Sequence, residues 1–254
     1  MLKFSKANTK IKQLAQVPSI AQYLGKGKKI YSFDLLSGWS CPYAKECHSK
    51  VHVDSKGKRN IQDGPETEFR CFSASQEALY TNLYKLRKHN YEVIKSYSAE
   101  STMTDLILES LPKNAGVVRI HVAGDFLNRN YFRAWMKTTQ KRPDILFYAY
   151  TKSLPYWVDN LGECATIDNL VLTASRGGRR DDLIESNGLR SVSVVFEAGE
   201  AEDFDLPIDH DDSHAADPSQ RFNNFALLIH GTQPAGSVAS KAVKALKGVG
   251  SYGK

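Results

Sequence analysis

The feature that most constrains this fold is an alternation of short, almost wholly apolar runs with segments whose apolar residues recur at helical spacing. Such apolar runs are typical of parallel strands that are buried on both faces. Strands alternating with helices predict right-handed crossover connections and a parallel α/β sheet. The predicted strands cover residues 30–36, 117–123, 145–150, 170–174, 192–196 and 225–229. The predicted helices cover residues 73–91, 99–113, 130–139, 154–161, 181–186 and 239–246.

Six strands in this arrangement favour a partial (β/α) barrel, and a flat doubly wound sheet is the alternative. The chain has 254 residues, of which 41% are hydrophobic, and this is enough to bury one large core. Because no linker divides it, residues 1–254 are predicted to form a single α/β domain. Two long segments interrupt the alternation, a cysteine loop at residues 37–75 and an acidic loop at residues 200–218.

Polar side chains follow the predicted strands at the points where the strands end. They are Asp125, Lys152, Arg176, Glu197 and His230. The carboxyl ends of parallel strands meet at one edge of a sheet, and binding sites form there. We therefore expect Asp125, Lys152 and Arg176 to line a pocket at this rim and to orient a polar substrate.

Three of the four cysteines, Cys41, Cys47 and Cys71, lie within 31 residues, in loop-like sequence after the first predicted strand. The N-terminus lacks the apolar segment of a signal peptide, which predicts a cytoplasmic protein, where disulfides are uncommon. Clustered thiolates there suit a soft metal or an iron–sulfur cluster. Structural zinc sites favour C-x2–4-C pairs, unlike the C-x5-C pair here. An iron–sulfur cluster is therefore preferred to zinc, and zinc to a disulfide.

Three thiolates leave one iron of a 4Fe–4S cluster without a cysteine ligand. Cys164 precedes a predicted strand instead of following one, which places it at the opposite rim as a small buried hydrophobic residue. A bound small molecule, one of the histidines His48, His121 and His230, or the more distant Cys164 could complete the cluster. The sequence leaves this choice open.

Other segments carry weaker signals. Residues 1–29 are rich in lysine and have apolar residues at helical spacing, which predicts a short packing helix. Residues 48–68 are turn-rich and predict a hairpin inserted between the second and third cysteines. The segments 175–180 and 231–237 resemble anion-binding turns. Within the acidic loop, the histidines and aspartates of residues 210–214 could hold an ion, although a solvated loop is the preferred interpretation.

Five stretches carry a resemblance to a known family. They are residues 32–38, the cysteine segments 41–47 and 71–74, residues 121–126 and residues 148–153. Together they resemble an uncharacterised family of iron–sulfur proteins encoded by tailed bacteriophages and abundant in marine phages. That family looks like a distant relative of radical-SAM proteins. The resemblance spans residues 30–180.

In the wider radical-SAM group, a loop of three cysteines after the first barrel strand holds a 4Fe–4S cluster. The resemblance therefore implies that Cys41, Cys47 and Cys71 are the cluster ligands. The gaps between them are five and twenty-three residues, whereas radical-SAM proteins have C-x3-C-x2-C. The glycine-rich motif that binds the methionine amine in that group is not evident here. The resemblance thus implies the cluster more directly than it implies S-adenosylmethionine.

Two functions from different classes follow. The first is a phage-encoded 4Fe–4S protein with redox or radical-SAM-like chemistry and S-adenosylmethionine at the open iron. The second is a non-catalytic accessory or regulatory protein with a structural or redox-sensing iron–sulfur or zinc site. The net charge of +6 and the pI of about 9.0 keep nucleic acid open as a partner, beside a small molecule or a host or phage protein. No apolar run is long enough to span a membrane, and the expected location is the cytoplasm of the infected host.

Overall fold

The apolar runs form the strands of a mostly parallel sheet in the computed structural model of the chain, which describes residues 1–8 and 11–247. All six predicted strands are present, and three further ones were not predicted individually. In chain order the strands are β1 (Phe4–Lys6), β2 (Lys29–Phe33), β3 (Ser49–Val53), β4 (Arg59–Asp63), β5 (Ala115–Ile120), β6 (Leu146–Thr151), β7 (Leu170–Ser175), β8 (Ser191–Val195) and β9 (Phe225–Leu228).

Helices occupy most of the connections between the strands. The α-helices are α1 (Pro18–Ala21), α2 (Phe72–Leu79), α3 (Thr81–Lys95), α4 (Glu100–Ser110), α5 (Arg129–Lys141), α6 (Leu154–Val158), α7 (Leu161–Ala165), α8 (Asp182–Ser186), α9 (Ala198–Asp203), α10 (Ser213–Ala216) and α11 (Val238–Ala245). Short 3-10 helices cover Ile11–Gln16 and Pro218–Gln220. The helical spacing predicted in the basic N-terminal segment thus produces a 3-10 helix and then α1, which begins at Pro18 because the first turn does not need the missing N–H.

The main sheet has seven strands in the order β1-β2-β5-β6-β7-β8-β9. β1 pairs antiparallel with β2, and every other neighbouring pair is parallel. Because the strand order follows the chain order without reversal, the doubly wound alternative is wrong. β1 and β9 lie at opposite edges and do not pair, so the sheet is an open arc of seven strands and not a closed barrel.

Side chains alternate between the two faces of this sheet, and each face has its own core. On the outer face, Val118 and Phe147 pack with helices α3 to α6 in the largest apolar cluster. On the inner face, Val117 and Tyr148 pack against the 3-10 helix, α1 and α10. Both faces are therefore covered, which explains why the strand sequences are almost wholly apolar.

The segment between the second and third cysteines forms the predicted hairpin. β3 and β4 pair antiparallel, with Ser49 opposite Asp63 and Val53 opposite Arg59. This two-stranded sheet is separate from the main one. None of the helices described is long and apolar enough to cross a membrane.

The acidic segment at residues 200–218 is not the solvated loop that the sequence predicts. It contains the end of α9 and the whole of α10, and α10 packs on the inner face of the sheet. Asp209 and Asp212 are both buried. Asp212 accepts a hydrogen bond of 2.5 Å from Arg119 of β5 and one of 3.0 Å from the Tyr148 hydroxyl. Its charge is balanced from within the fold, and this pairing holds the segment against the strands.

A pH dependence of stability follows from His214, whose Nδ1 lies 3.9 Å from Asp209 Oδ1. Asp209 raises the pKa of His214 above 6.5. Burial would raise the pKa of Asp209, but the contact with His214 lowers it, and the net result is a pKa below 3.8. The stabilisation is therefore present above about pH 4 and below about pH 6.5, and it is lost as pH rises through the raised histidine pKa. We expect thermal melts to show that raising the pH from 6 to 8.5 lowers the free energy of unfolding by about 1 kcal/mol or less through this pair, in excess of the pH effect of the rest of the protein. His214→Gln should remove this excess, and an unchanged pH profile would contradict the assignment.

Candidate metal centre

The cysteine loop begins where β2 ends, above the carboxyl end of β5. The Asp34 carboxylate fixes this departure, because its Oδ1 accepts hydrogen bonds from the Val122 and Ala123 N–H groups at 2.8 and 3.3 Å. The Leu35 N–H donates to the Ala123 carbonyl at 2.9 Å. The loop is thus attached to the adjacent strand end before it reaches its first cysteine.

The structure brings three of the four cysteines to the wall of one cavity of about 450 Å³. Cys41, Cys47 and Cys71 are half-buried and free of disulfides. Burial raises the pKa of the Cys41 thiol, and Asp125, Cys71 and Cys47 raise it further. Burial, followed by the effect of Cys47, raises the pKa of Cys71 to about 12. The three sulfur atoms are therefore close enough to interact electrostatically.

Binding a single metal ion requires its ligands to be closer together than residues that only line the same cavity. Among the described residues, no group of three or more His, Cys, Asp and Glu side chains is placed to hold a metal ion. A tetrahedral zinc ion with Zn–S bonds of about 2.3 Å draws its sulfur ligands to about 3.8 Å from one another. The cysteine trio does not form such a set, so the zinc alternative has no preformed site in the part of the chain that the structure describes.

The fourth cysteine lies elsewhere, as predicted. Cys164 is in α7, is 7% exposed and belongs to the outer-face core. Its sulfur lies 3.7 Å from the Met136 sulfur. It behaves as a small buried hydrophobic residue.

Histidine candidates for a fourth ligand differ in their surroundings. His121 and His230 line the cavity, whereas His48 lies outside its wall and is 3.3 Å from the Gly38 carbonyl. His121 Nε2 and the Tyr131 hydroxyl share a hydrogen bond of 2.9 Å, and the buried Nδ1 has no hydrogen-bond partner among the described residues. Burial lowers the pKa of His121 to about 3, so its ring is neutral. Its φ of 67° is unusual for a residue other than glycine.

Asp125 and Lys152 line the cavity as predicted, but their polar atoms are used within the rim. Asp125 accepts hydrogen bonds from the Thr151 hydroxyl at 2.6 Å and from the Lys152 N–H at 2.8 Å. The Lys152 ammonium donates to the Ser175 carbonyl and hydroxyl, each at 3.1 Å, and to the Arg176 carbonyl. These two residues connect the ends of β5, β6 and β7.

Arg176 does not line the cavity, contrary to the prediction. Its Nη2 donates to Glu185 at 2.6 Å and its Nε donates to Ser191 at 3.1 Å. Arg176 follows the last residue of β7, and its partners Glu185 and Ser191 draw its side chain away from the cavity.

The two predicted anion-binding turns are also occupied by the protein itself. The N–H groups of Gly177 and Gly178 donate to the Asp181 carboxylate at 2.8 and 3.0 Å. In the 231–237 turn, Gln233 exchanges hydrogen bonds of 2.7 and 3.0 Å with the Arg70 backbone. A side chain at Gly231 (φ 84°) would meet Phe72 Cβ at 2.5 Å, so this glycine permits close contact with the start of α2.

The cysteine loop is also paired with the loop that follows β7. Ala44 and Gly178 form an isolated antiparallel bridge. The Glu46 N–H donates to the Gly177 carbonyl at 3.1 Å, and the Arg179 N–H donates to the Tyr43 carbonyl at 2.9 Å. The loop therefore crosses the rim above β5 and β6.

A buried polar network supports both cysteine segments from behind. Glu77 Oε1 accepts hydrogen bonds from the Ser37 N–H at 3.0 Å and from Arg87 Nη1 at 3.3 Å. Arg87 Nη1 also donates to the Ser73 carbonyl at 3.1 Å, and its Nε lies 3.8 Å from Asp34 Oδ2. Ser37 precedes Cys41 and Ser73 follows Cys71, so one ion-pair network fixes the loop at both ends.

A polar group that was not predicted from the sequence lies on the inner wall of the same cavity. Arg119, Tyr150 and Asp212 line it, and the Arg119 guanidinium lies 5.0 Å from the centre of the Tyr150 ring. The available signal was a single arginine within the apolar run of β5, because a charged residue in a buried strand requires a partner or a ligand.

The comparisons with known proteins point to bacteriophages. A protein-family model described as "Gene product 88" matches residues 2–247. The chain is 25% identical over 178 residues to the "Gene 88 protein" of Mycobacterium phage L5, a match that covers 65% of this chain and 66% of that protein. It is 25% identical over 123 residues to the "Gene 88 protein" of Mycobacterium phage D29, covering 45% and 43%. Each match thus spans less than two thirds of the relative. No solved structure matches the chain.

Proposed function

The chain belongs to the gene product 88 family of bacteriophage proteins, and we propose that it binds a 4Fe–4S cluster through Cys41, Cys47 and Cys71. The observation that carries this proposal is the convergence of three free thiols on one cavity, where Cys47 and Cys71 both raise the pKa of Cys41 and Cys47 raises that of Cys71. A cluster is larger than a single ion, so its ligands stand further apart than those of zinc. The spacing of the three sulfur atoms would therefore be set by the cluster when it binds, and the described residues hold no ligand set preformed for a single ion.

The surroundings of the thiols suit a cluster in two further ways. The Gly38 N–H donates to Cys41 Sγ at 3.3 Å, and hydrogen bonds of this kind to sulfur tune the reduction potential of a cluster. His121 lines the same cavity, and its buried Nδ1 has no hydrogen-bond partner among the described residues. It is the candidate ligand for the fourth iron, and a small molecule bound in the cavity is the alternative.

When bound, the cluster would supply one-electron chemistry, and radical chemistry if S-adenosylmethionine occupied the open iron. The chain's own residues shape the place where this happens. Asp125 and Lys152 hold the strand ends at the rim. The cavity volume lies in the usual range for small-molecule sites of about 300–1,000 Å³.

The runner-up function is a non-catalytic phage protein with a structural or redox-sensing cluster. It is favoured by the polar atoms of Asp125 and Lys152, because they are occupied within the rim and not presented to a substrate. Adding S-adenosylmethionine to the reduced anaerobic protein separates the two functions. A changed EPR signal with release of methionine supports the first. An unchanged signal together with salt-sensitive binding of nucleic acid supports the second.

The cluster itself is tested by analysing anaerobically purified protein for iron, sulfide and zinc. We expect iron and sulfide to approach the four of each that a 4Fe–4S cluster contains, with a brown colour that fades in air. Stoichiometric zinc without iron, or a colourless protein that cannot be reconstituted with iron and sulfide, would contradict the proposal.

A further inference from the structure

Arg119 presents an unused hydrogen-bonding edge at the inner wall of the cavity. Its Nη1 donates to Asp212 at 2.5 Å. Among the described residues its buried Nε has no hydrogen-bond partner, and its Nη2 makes no hydrogen bond either. The side chain is 14% exposed and lines the cavity. A buried N–H without a partner costs free energy, so this edge is a site where a ligand would be favoured.

Other arginines in the chain show what this edge binds. The Nε–Nη2 edge of Arg142 holds both oxygens of Asp144 at 2.7 and 2.8 Å. That of Arg180 holds both oxygens of Asp182 at 3.0 and 2.9 Å. The planar guanidinium fork matches the two oxygens of a carboxylate, and Arg119 alone of these three offers the fork to a cavity.

Tyr150, whose ring centre lies 5.0 Å from the Arg119 guanidinium, supplies a second donor on the same wall. Its hydroxyl is buried and has no hydrogen-bond partner among the described residues. Burial, and then the nearby Asp212 carboxylate, raise the pKa of Tyr150, so the phenol stays protonated and can donate. Burial would lower the pKa of Arg119, but Asp212 outweighs it and keeps the guanidinium charged.

The net charge and the apolar residues of the cavity wall indicate which class of ligand fits. The cavity wall carries Arg119 and Lys152 against Asp125 and Asp212, which cancel, and Arg70, whose charge is paired with Asp63 outside the wall. A singly charged carboxylate disturbs this balance less than a doubly charged phosphate does. Beside the polar groups, apolar side chains line the same cavity, among them Ile11, Val194 and Leu227.

We infer that the cavity binds a small monocarboxylate with an apolar body, whose carboxylate is held by the Arg119 Nε–Nη2 edge and the Tyr150 hydroxyl. The inference rests on the proposed function only in placing the ligand in the same cavity as the cysteines. It assigns substrate recognition to the inner wall, and not to Arg176 as the sequence suggests.

Calorimetric titration of the anaerobic protein with 4-phenylbutyrate tests this inference, with the uncharged 4-phenylbutyramide and with phenyl phosphate as comparison probes. We expect 4-phenylbutyrate to bind most tightly of the three. Arg119→Gln should weaken its binding at least tenfold, and Tyr150→Phe about fivefold, as expected for charged and neutral hydrogen bonds respectively. Arg142→Gln, which removes the same kind of edge from the surface, should leave binding unchanged.

Three results would overturn the inference. They are equal binding of the amide and the carboxylate, tighter binding of phenyl phosphate, and unchanged binding in Tyr150→Phe. If Arg119→Gln removes the ion-pair partner of Asp212 and fails to fold, Tyr150→Phe still tests the inference. The hydroxyl that it removes has no partner in the described structure, so its loss should leave the fold intact. Iron and sulfide measured on the same samples report the cluster separately. Carboxylate binding without iron removes only the proposed cluster, and iron without carboxylate binding removes only this inference.

Discussion

Serine substitution of Cys41, Cys47 or Cys71 is expected to abolish stable iron binding, whereas Cys164→Ala should retain it. A serine hydroxyl does not ionise near neutral pH and is a hard ligand, so it replaces a thiolate poorly on iron. With only three cysteines at the cavity, no spare thiolate can take over the lost position. Iron and sulfide content and the visible spectrum of anaerobic protein measure the effect, and each of the three variants should fall to background.

Cys164→Ala is the matched control because its sulfur lies in the outer-face core and away from the cavity. Circular dichroism on all four variants distinguishes a lost ligand from a lost fold. Iron bound at the normal ratio in any one of the three serine variants would refute the assignment of that cysteine. Loss of iron from Cys164→Ala with an intact fold would show that the cluster is elsewhere.

Glu77→Ala is expected to have the largest effect on folding among substitutions outside the cysteines. Glu77 and Arg87 are 0% and 1% exposed, and the substitution removes the nearer carboxylate of the Arg87 guanidinium together with the acceptor of the Ser37 N–H. Breaking one side of a buried ion pair costs about 3–5 kcal/mol. For a chain of this size that corresponds to a decrease in Tm of roughly 6–20 °C, which differential scanning calorimetry or a CD melt would measure.

Two comparison variants separate burial from charge. Glu77→Gln should cost less than Glu77→Ala, because its carbonyl oxygen can still accept from Ser37, and burial already raises the pKa of Glu77. Lys88→Ala disrupts the exposed Lys88–Glu92 pair and should change stability by about 0.5 kcal/mol or less. If Glu77→Ala melted within 2 °C of the unsubstituted protein, the network would not support the cysteine loop.

The parts of the fold that were predictable are those that local pattern determines. Apolar runs identified β5 to β9, and the turn-rich sequence between Cys47 and Cys71 identified the β3–β4 hairpin. The three-residue strand β1 was not predictable, because so short a segment has no period to detect and forms only by pairing with β2.

The sequence indicated where the candidate site lies, but only some of the residues that form it. The cysteines, Asp125 and Lys152 do meet at the carboxyl rim, since topology alone fixes where strand ends lie. Arg176 was misplaced because its partners, Glu185 and Ser191, draw it away from the cavity, and sequence alone does not show which partner a side chain will find. The acidic segment was misread because its partner, Arg119, is distant in sequence, and local composition cannot report such a pairing.

The bridge between Ala44 and Gly178 has a mechanical consequence. The main sheet is open, so no closed ring of hydrogen bonds fixes its shape. The bridge connects the loop that follows β2 to the loop that follows β7, and the loop after β2 also carries Cys41 and Cys47. If the proposed cluster binds to Cys41 and Cys47, its loss should loosen this stretch and widen the entrance of the cavity.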